Sequence, residues 1–206
     1  MSPISALNRL KAGNDAFISG DTRDNSISCL QKRRQLATEG QNPFAVVVTC
    51  ADSRVPAEAI FQTELGDLFV IRVAGCCVDS SVIASVEYAV SHFQCQVCVV
   101  MGHSQCGAVH AALDAVESGT DLPSESLNRM LAPIMEVITT EIELKKDMSK
   151  SQKFDHATKV ATIHQIKRLK AESKIIARKE QEGQLVLIPA RYDIHSGSVA
   201  FDLGGH

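Results

Sequence analysis

The chain has 206 residues, of which 45% are apolar, and a formal net charge of −3 at pH 7. Its pI near 6.2 argues against a nucleic-acid-binding protein, which usually carries a basic face. The longest apolar runs, such as residues 44–48, are too short to cross a bilayer, and residues 1–10 lack an apolar signal-peptide core. Seven cysteines without such a signal indicate a reducing compartment with free or metal-bound thiols. We therefore expect one cytoplasmic domain over residues 1–206, with no nucleic acid and no membrane as partner.

The first two predicted elements are helices that precede any strand. Apolar residues at roughly helical spacing predict an amphipathic helix over residues 4–19. A second helix is predicted over residues 26–38, ending near Gly40. Together they form an N-terminal helical arm over about residues 1–40.

Strands and helices then alternate along the chain. Short runs rich in β-branched residues predict buried strands over residues 44–49, 68–73, 97–101 and 185–188. Helices are predicted over residues 79–93, 106–117, 126–146 and 154–182, the last of them capped by Gly183. This alternation predicts an α/β fold with a mainly parallel central β-sheet flanked by helices.

Candidate metal ligands follow two of these strands. Cys50 comes directly after the first predicted strand, and His103 and Cys106 follow the third. Since the sites of parallel sheets lie beyond the carboxyl ends of the strands, Cys50 and His103 are expected to meet although they are 53 positions apart. Two thiolates and one imidazole, with a fourth position left for water, are the ligand set of an open zinc site.

Asp52 and Arg54 add a charged pair beside the first cysteine. Asp52 is the candidate for an occasional fourth ligand, and Arg54, two residues away, can hold it off the metal. Zinc with an open position and a charge partner is typical of hydrolytic or hydration catalysts. The alternative is that Asp52 and Arg54 form only a structural ion pair.

Residues 50–54, Cys-Ala-Asp-Ser-Arg, and residues 102–107, Gly-His-Ser-Gln-Cys-Gly, resemble motifs of the β-class carbonic anhydrases. The likeness continues through residues 55–58, 66–70 and 87–90 and covers most of the chain. It implies a β-carbonic-anhydrase-like domain with one Zn²⁺ per subunit. It also implies reversible hydration of carbon dioxide to bicarbonate and a proton, with zinc-bound hydroxide as the nucleophile.

The resemblance also implies roles for individual residues. Asp52 and Arg54 match the family's carboxylate–guanidinium dyad, which orients or gates the nucleophile. The residues that match the zinc ligands are Cys50, His103 and Cys106.

Further positions are expected to line the substrate pocket. Gln41 matches a glutamine that hydrogen-bonds in the pocket, and Phe69 and Tyr88 match aromatic residues of the cleft. Gly107 follows the last ligand and allows close approach of the backbone. In the family, the glutamine and the aromatic residues reach the pocket across a dimer interface. The resemblance therefore implies a homodimer or a dimer of dimers.

Two other functions stay open at this point, and the sequence argues against a third. The same scaffold can hydrolyse carbonyl sulfide or carbon disulfide. A non-catalytic zinc- or bicarbonate-binding protein is a second alternative, although it needs neither the Asp52–Arg54 pair nor Gln41. An oxidoreductase with a Cys₂His zinc site would require a Gly-x-Gly-x-x-Gly nucleotide-binding turn, which the sequence lacks.

Two further cysteine pairs lie outside the ligand set. Cys95 and Cys98 have the spacing of a redox motif, but they enter an apolar strand, so we expect them to pack in the core or at an edge of the sheet. Cys76 and Cys77 follow a departure from the family, which often reads Arg-Asn-x-x-Asn where residues 72–76 read Arg-Val-Ala-Gly-Cys. We expect Cys76 to be a buried small residue, with a sensitive thiol near the metal as the alternative.

Overall fold

A computed structural model describes residues 1–21, 29–143 and 147–203 of the chain. The described strands form one sheet and are β1 (Ala45–Thr49), β2 (Leu68–Arg72), β3 (Val97–His103), β4 (Val186–Tyr192) and β5 (Val199–Phe201). Their order in the sheet is β2-β1-β3-β4-β5. Strands β1 to β4 are parallel, and β5 pairs antiparallel with β4. The predicted mainly parallel α/β fold is confirmed.

Helices cover both faces of this sheet. They are α1 (Pro3–Ser19), α2 (Leu30–Glu39), α3 (Ala57–Ile60), α4 (Ser80–His92), α5 (Gly107–Ser118), α6 (Glu125–Glu143), α7 (Lys150–Glu172) and α8 (Lys174–Gln181). A short 3₁₀ turn, Ala74–Cys76, follows β2. Among the described helices, none has the length and apolarity that a membrane span requires.

The central strands β1 and β3 supply side chains to two cores, one on each face of the sheet. Every residue of both strands is buried, as expected for parallel strands that are covered on both sides. Val46 and Val100 join the core that includes residues of α4 to α8. Val47 and Val99 join the core that includes Leu10 of α1 and Ile60 of α3. The alternation of side chains along each strand therefore anchors helices on both faces.

Two parts of the chain depart from the predicted elements. The helix predicted over residues 154–182 is two helices, α7 and α8, because Ser173 is extended with φ −124° and ψ 111° and caps α8 through its side chain. Helix α7 also begins earlier, at Lys150, where Ser149 and Gln152 form a capping box. The strand predicted over residues 185–188 runs on to Tyr192, since it pairs with β3 as far as His103.

Two described elements were not predicted. Helix α3 has four residues and β5 has three, so neither is long enough to show a periodic pattern of apolar residues. Residues 26–28 of the second predicted helix and residues 144–146 of the helix predicted from residue 126 lie outside the described residues.

Asn14 connects α1 to two other parts of the fold. Its side chain is buried and donates hydrogen bonds to the carbonyl oxygens of Ile60, at 3.3 Å, and Gly197, at 2.9 Å. Its Oδ1 accepts a hydrogen bond from the N–H of Val199 at 2.8 Å. One amide therefore joins α1, the end of α3 and the start of β5.

Replacing Asn14 with alanine is expected to lower the free energy of unfolding by about 2 kcal/mol, because it leaves buried backbone groups without partners. Urea denaturation of the wild-type and variant proteins measures this difference. The matched control is Asn8→Ala on the exposed face of the same helix, for which a change within about 0.5 kcal/mol is expected. Equal effects of the two substitutions would contradict the anchoring role.

Candidate metal centre

The pairing of β1 with β3 brings the predicted ligands to one end of the sheet. Cys50 comes directly after β1, and His103 is the last residue of β3. The register pairs Thr49 with Met101, and Thr49 Oγ1 donates a hydrogen bond to the Met101 carbonyl oxygen at 3.0 Å. Cys106 lies three residues beyond His103, directly before α5. The adjacent carboxyl ends of two strands therefore supply all three side chains.

Cys50, His103 and Cys106 form a compact group of donor atoms. Their ligand atoms all lie within 4.8 Å of one another. The Sγ atoms of Cys50 and Cys106 are 4.0 Å apart, close to the separation of about 3.8 Å expected for two sulfurs on one tetrahedral zinc. The three side chains are at most 5% exposed. The spacing and the burial both fit a single metal ion.

The imidazole of His103 is oriented so that one nitrogen faces this group. Its Nδ1 donates a hydrogen bond to the carbonyl oxygen of Ser104 at 2.8 Å, so Nε2 carries the free lone pair. Ser104 is itself held by β4, since its N–H donates to the Tyr192 carbonyl oxygen at 2.9 Å. Among the described residues, the buried Nε2 of His103 has no hydrogen-bond partner. A metal ion would satisfy this nitrogen.

The Cys50 and Cys106 sulfurs lie 4.0 Å apart and share a hydrogen bond. This contact lowers the pKa of Cys50, although burial opposes the effect. The same contact, together with burial, raises the pKa of Cys106. The N–H of Gly75 lies 3.4 Å from the Cys50 sulfur and also favours its thiolate form. Thiolate and imidazole together are the donors that zinc prefers in proteins.

Asp52 and Arg54 form a two-pronged ion pair next to the ligands. Arg54 Nε donates to Asp52 Oδ1 at 2.9 Å, and Arg54 Nη2 donates to Oδ2 at 2.7 Å. These hydrogen bonds hold the pKa of Asp52 well below its usual range, so the carboxylate stays ionised at neutral pH. Asp52 Oδ2 lies 4.0 Å from His103 Nε2. The pair therefore places a fixed negative charge beside the candidate metal position.

Arg72 braces the segment that carries Cys50 and Asp52, a contact that sequence analysis missed. Its Nε donates to the Cys50 carbonyl oxygen at 3.2 Å, and its Nη2 donates to the Asp52 carbonyl oxygen at 2.6 Å. Arg72 is the last residue of β2 and pairs with Thr49 in the sheet. The sequence signal that could have identified Arg72 as a site residue is its position at the carboxyl end of a neighbouring predicted strand.

The other predicted pocket residues lie apart from the ligands, with one exception. Phe69 pairs with Val46, three register positions before the end of β1, which is about 10 Å along the strand. The Tyr88 ring lies 6.1 Å from the Phe69 ring and is 51% exposed. Gln41 precedes β1 and lines a cleft of about 600 Å³. Gly107, the exception, is exposed next to Cys106 at the start of α5.

The remaining cysteines that sequence analysis considered are buried. Burial raises the pKa of Cys95 to about 11 and that of Cys98 to about 12, so both thiols are protonated at neutral pH. Their predicted packing in the core is confirmed. Cys76 is 2% exposed, and its Sγ donates to the Met101 carbonyl oxygen at 3.1 Å. The interpretation of Cys76 as a buried small residue is also confirmed.

Comparisons with known proteins point to one family. The profile of the family described as "Carbonic anhydrase" matches residues 45–199. Carbonic anhydrase 2 of Mycobacterium tuberculosis is 37% identical over 200 residues, which cover 95% of this chain and 91% of that protein. The crystal structure of the β-carbonic anhydrase CafA of Aspergillus fumigatus aligns with a TM-score of 0.75 and 25% identity over 86% of both chains. A tetrameric β-carbonic anhydrase of Sordaria macrospora aligns with a TM-score of 0.73 and 25% identity over 94% of both chains.

Proposed function

Because the chain belongs to the carbonic anhydrase family, we propose that it hydrates carbon dioxide reversibly to bicarbonate and a proton, using one Zn²⁺ per subunit. The observation that carries this proposal is the convergence within 4.8 Å of two sulfurs and a buried imidazole nitrogen that no described residue hydrogen-bonds. Cys50, His103 and Cys106 would hold the ion. When bound, zinc supplies a water activated for attack near neutral pH.

Asp52 and Arg54 have complementary roles in this proposal. The ionised carboxylate of Asp52 lies near the ligands and can accept a hydrogen bond from the attacking water, which orients its lone pair towards carbon dioxide. Arg54 donates one hydrogen bond to each carboxylate oxygen of Asp52. The single ammonium group of a lysine cannot reproduce this two-pronged geometry. Without this ion pair, Asp52 would be free to occupy the fourth metal position, and water could not bind there.

Stopped-flow hydration of carbon dioxide by the zinc-loaded protein tests the function, with zinc content measured on the same samples. Wild-type protein is expected to bind zinc and to accelerate hydration. Cys50→Ser should lose both, because it removes one of three ligands, whereas Cys29→Ser, at an exposed cysteine, should keep both. Wild-type protein that binds zinc without hydration activity would contradict the proposal. A parallel assay with carbonyl sulfide tests the alternative substrate.

Asp52→Asn is expected to lower kcat/KM for carbon dioxide hydration by about 100-fold while leaving the zinc content unchanged. The asparagine side chain keeps the size of Asp52 but loses its charge and its ion pair with Arg54. Asp155→Asn is the matched control, since it removes a carboxylate that pairs with Arg191 and not with Arg54. Undiminished activity of Asp52→Asn would mean that the Asp52–Arg54 pair is only structural.

We also propose that the active unit is a homodimer or a dimer of dimers. Gln41, Phe69 and Tyr88 lie towards the amino ends of the strands, away from the ligands of their own chain. The Tyr88 ring stacks on His92 at 5.0 Å and is half exposed, on the side of the edge strand β2. Exposed aromatic clusters are typical of interfaces. A second copy could therefore receive these residues beside its own ligands, and the Sordaria macrospora relative is a tetramer.

Mixing two inactive variants tests whether Gln41 serves the site of the partner. Cys50→Ser subunits lack a complete ligand set but keep Gln41, and Gln41→Ala subunits keep the ligands. After unfolding and refolding together, random pairing should restore about a quarter of the sites to their wild-type composition. Activity above the sum of the separate variants is expected. Simple additivity, with a dimer shown by light scattering, would place Gln41 outside the partner's site.

Two sequence-based predictions complete this proposal. The two cores share one sheet, which supports a single domain over residues 1–206. The cytoplasmic location stays a prediction from the sequence.

A further inference from the structure

Gln165 of α7 is a buried polar side chain that the proposed reaction does not use. It is 0% exposed. Its Oε1 accepts a hydrogen bond from the N–H of Val78 at 2.8 Å. Its Nε2 is buried too and has no hydrogen-bond partner within the described residues. An unpaired buried amide opposes folding, so packing alone does not account for a glutamine at this position.

Val78 is the last residue of the segment 73–78, which follows β2 and passes beside the candidate ligand Cys50. Within this segment, Gly75 with φ 68° and Cys76 with φ 56° are both left-handed. This backbone conformation is unfavourable for a cysteine, so surrounding contacts must hold it. The Cys76 thiol supplies one such contact through the Met101 carbonyl oxygen, and Gln165 supplies another through Val78.

The left-handed turn directs a backbone donor at a metal ligand. The N–H of Gly75 lies 3.4 Å from Cys50 Sγ. A Cβ atom at position 75 would lie 3.1 Å from both Ala108 Cβ and Ile134 Cδ1, so the turn has little room to move towards α5 and α6. Hydrogen bonds to ligand sulfurs orient the ligand and reduce the charge on it.

We propose that Gln165 is a positioning residue for the metal centre, a role that rests on the proposed zinc site. By holding the N–H of Val78, Gln165 fixes the turn whose Gly75 N–H is directed at Cys50. It touches neither substrate nor ligand, and its effect reaches the centre through the backbone of residues 75–78.

The test compares zinc affinity across variants of α7 by competition with a chromophoric chelator. Gln165→Met keeps the size of the side chain but removes the acceptor, and about tenfold weaker zinc binding is expected. Gln165→Glu retains an acceptor for Val78 and should bind zinc more tightly than the methionine variant. Thr158→Val is the matched control, because its buried hydroxyl donates within α7, to the Phe154 carbonyl oxygen at 3.0 Å. It should bind zinc like the wild type.

The outcomes separate this role from the proposed function. Wild-type protein that binds no zinc would overturn the function and this inference together. If wild-type protein binds zinc and Gln165→Met binds it equally well, only the positioning role is overturned, even where the variant is less stable. Equal weakening in the glutamate and methionine variants would also overturn it.

Amide hydrogen exchange gives a second measurement, and its wild-type arm does not depend on a variant folding. In zinc-free wild-type protein, the N–H groups of Gly75 and Val78 are expected to exchange slowly, since both donate to buried side chains. In Gln165→Met both should exchange faster. Exchange in the wild type as fast as that of exposed loops would overturn the positioning role.

Discussion

The parallel pairing of β1 with β3 is the constraint on which the rest of the site depends. With Thr49 opposite Met101, the residues that follow each strand emerge side by side, and Cys50 meets His103 there. A shift of one residue in this register would turn every side chain of one strand to the other face and exchange the two cores. The division of these side chains between the two cores therefore also sets the distance between the ligands.

The hydrogen bonds that orient the ligands mostly involve backbone groups. The Ser104 carbonyl oxygen selects the tautomer of His103, the Gly75 N–H points at the Cys50 sulfur, and Arg72 holds two carbonyl oxygens of the segment after β1. Such contacts do not depend on the identity of most neighbouring side chains.

The ligands and the central sheet could be predicted because their signals are local. Buried β-branched runs mark β1 to β3, and Cys50 and His103 lie at strand ends. The break at Ser173 could not be predicted, since it depends on an extended residue whose hydroxyl caps α8 and also contacts Glu87, 86 positions away. The roles of Arg72 and Gln165 depend on tertiary contacts with residues more than 15 positions away, which no periodic pattern records.

The wide separation of the candidate ligands in sequence has a consequence for how the proposed zinc ion would bind. An unfolded chain offers no preformed group of donors, so a metal ion finds its ligands only after β1 and β3 have paired. Under the proposed function, zinc binding would therefore follow the pairing of these strands, and its free energy would add to the stability of the native state alone.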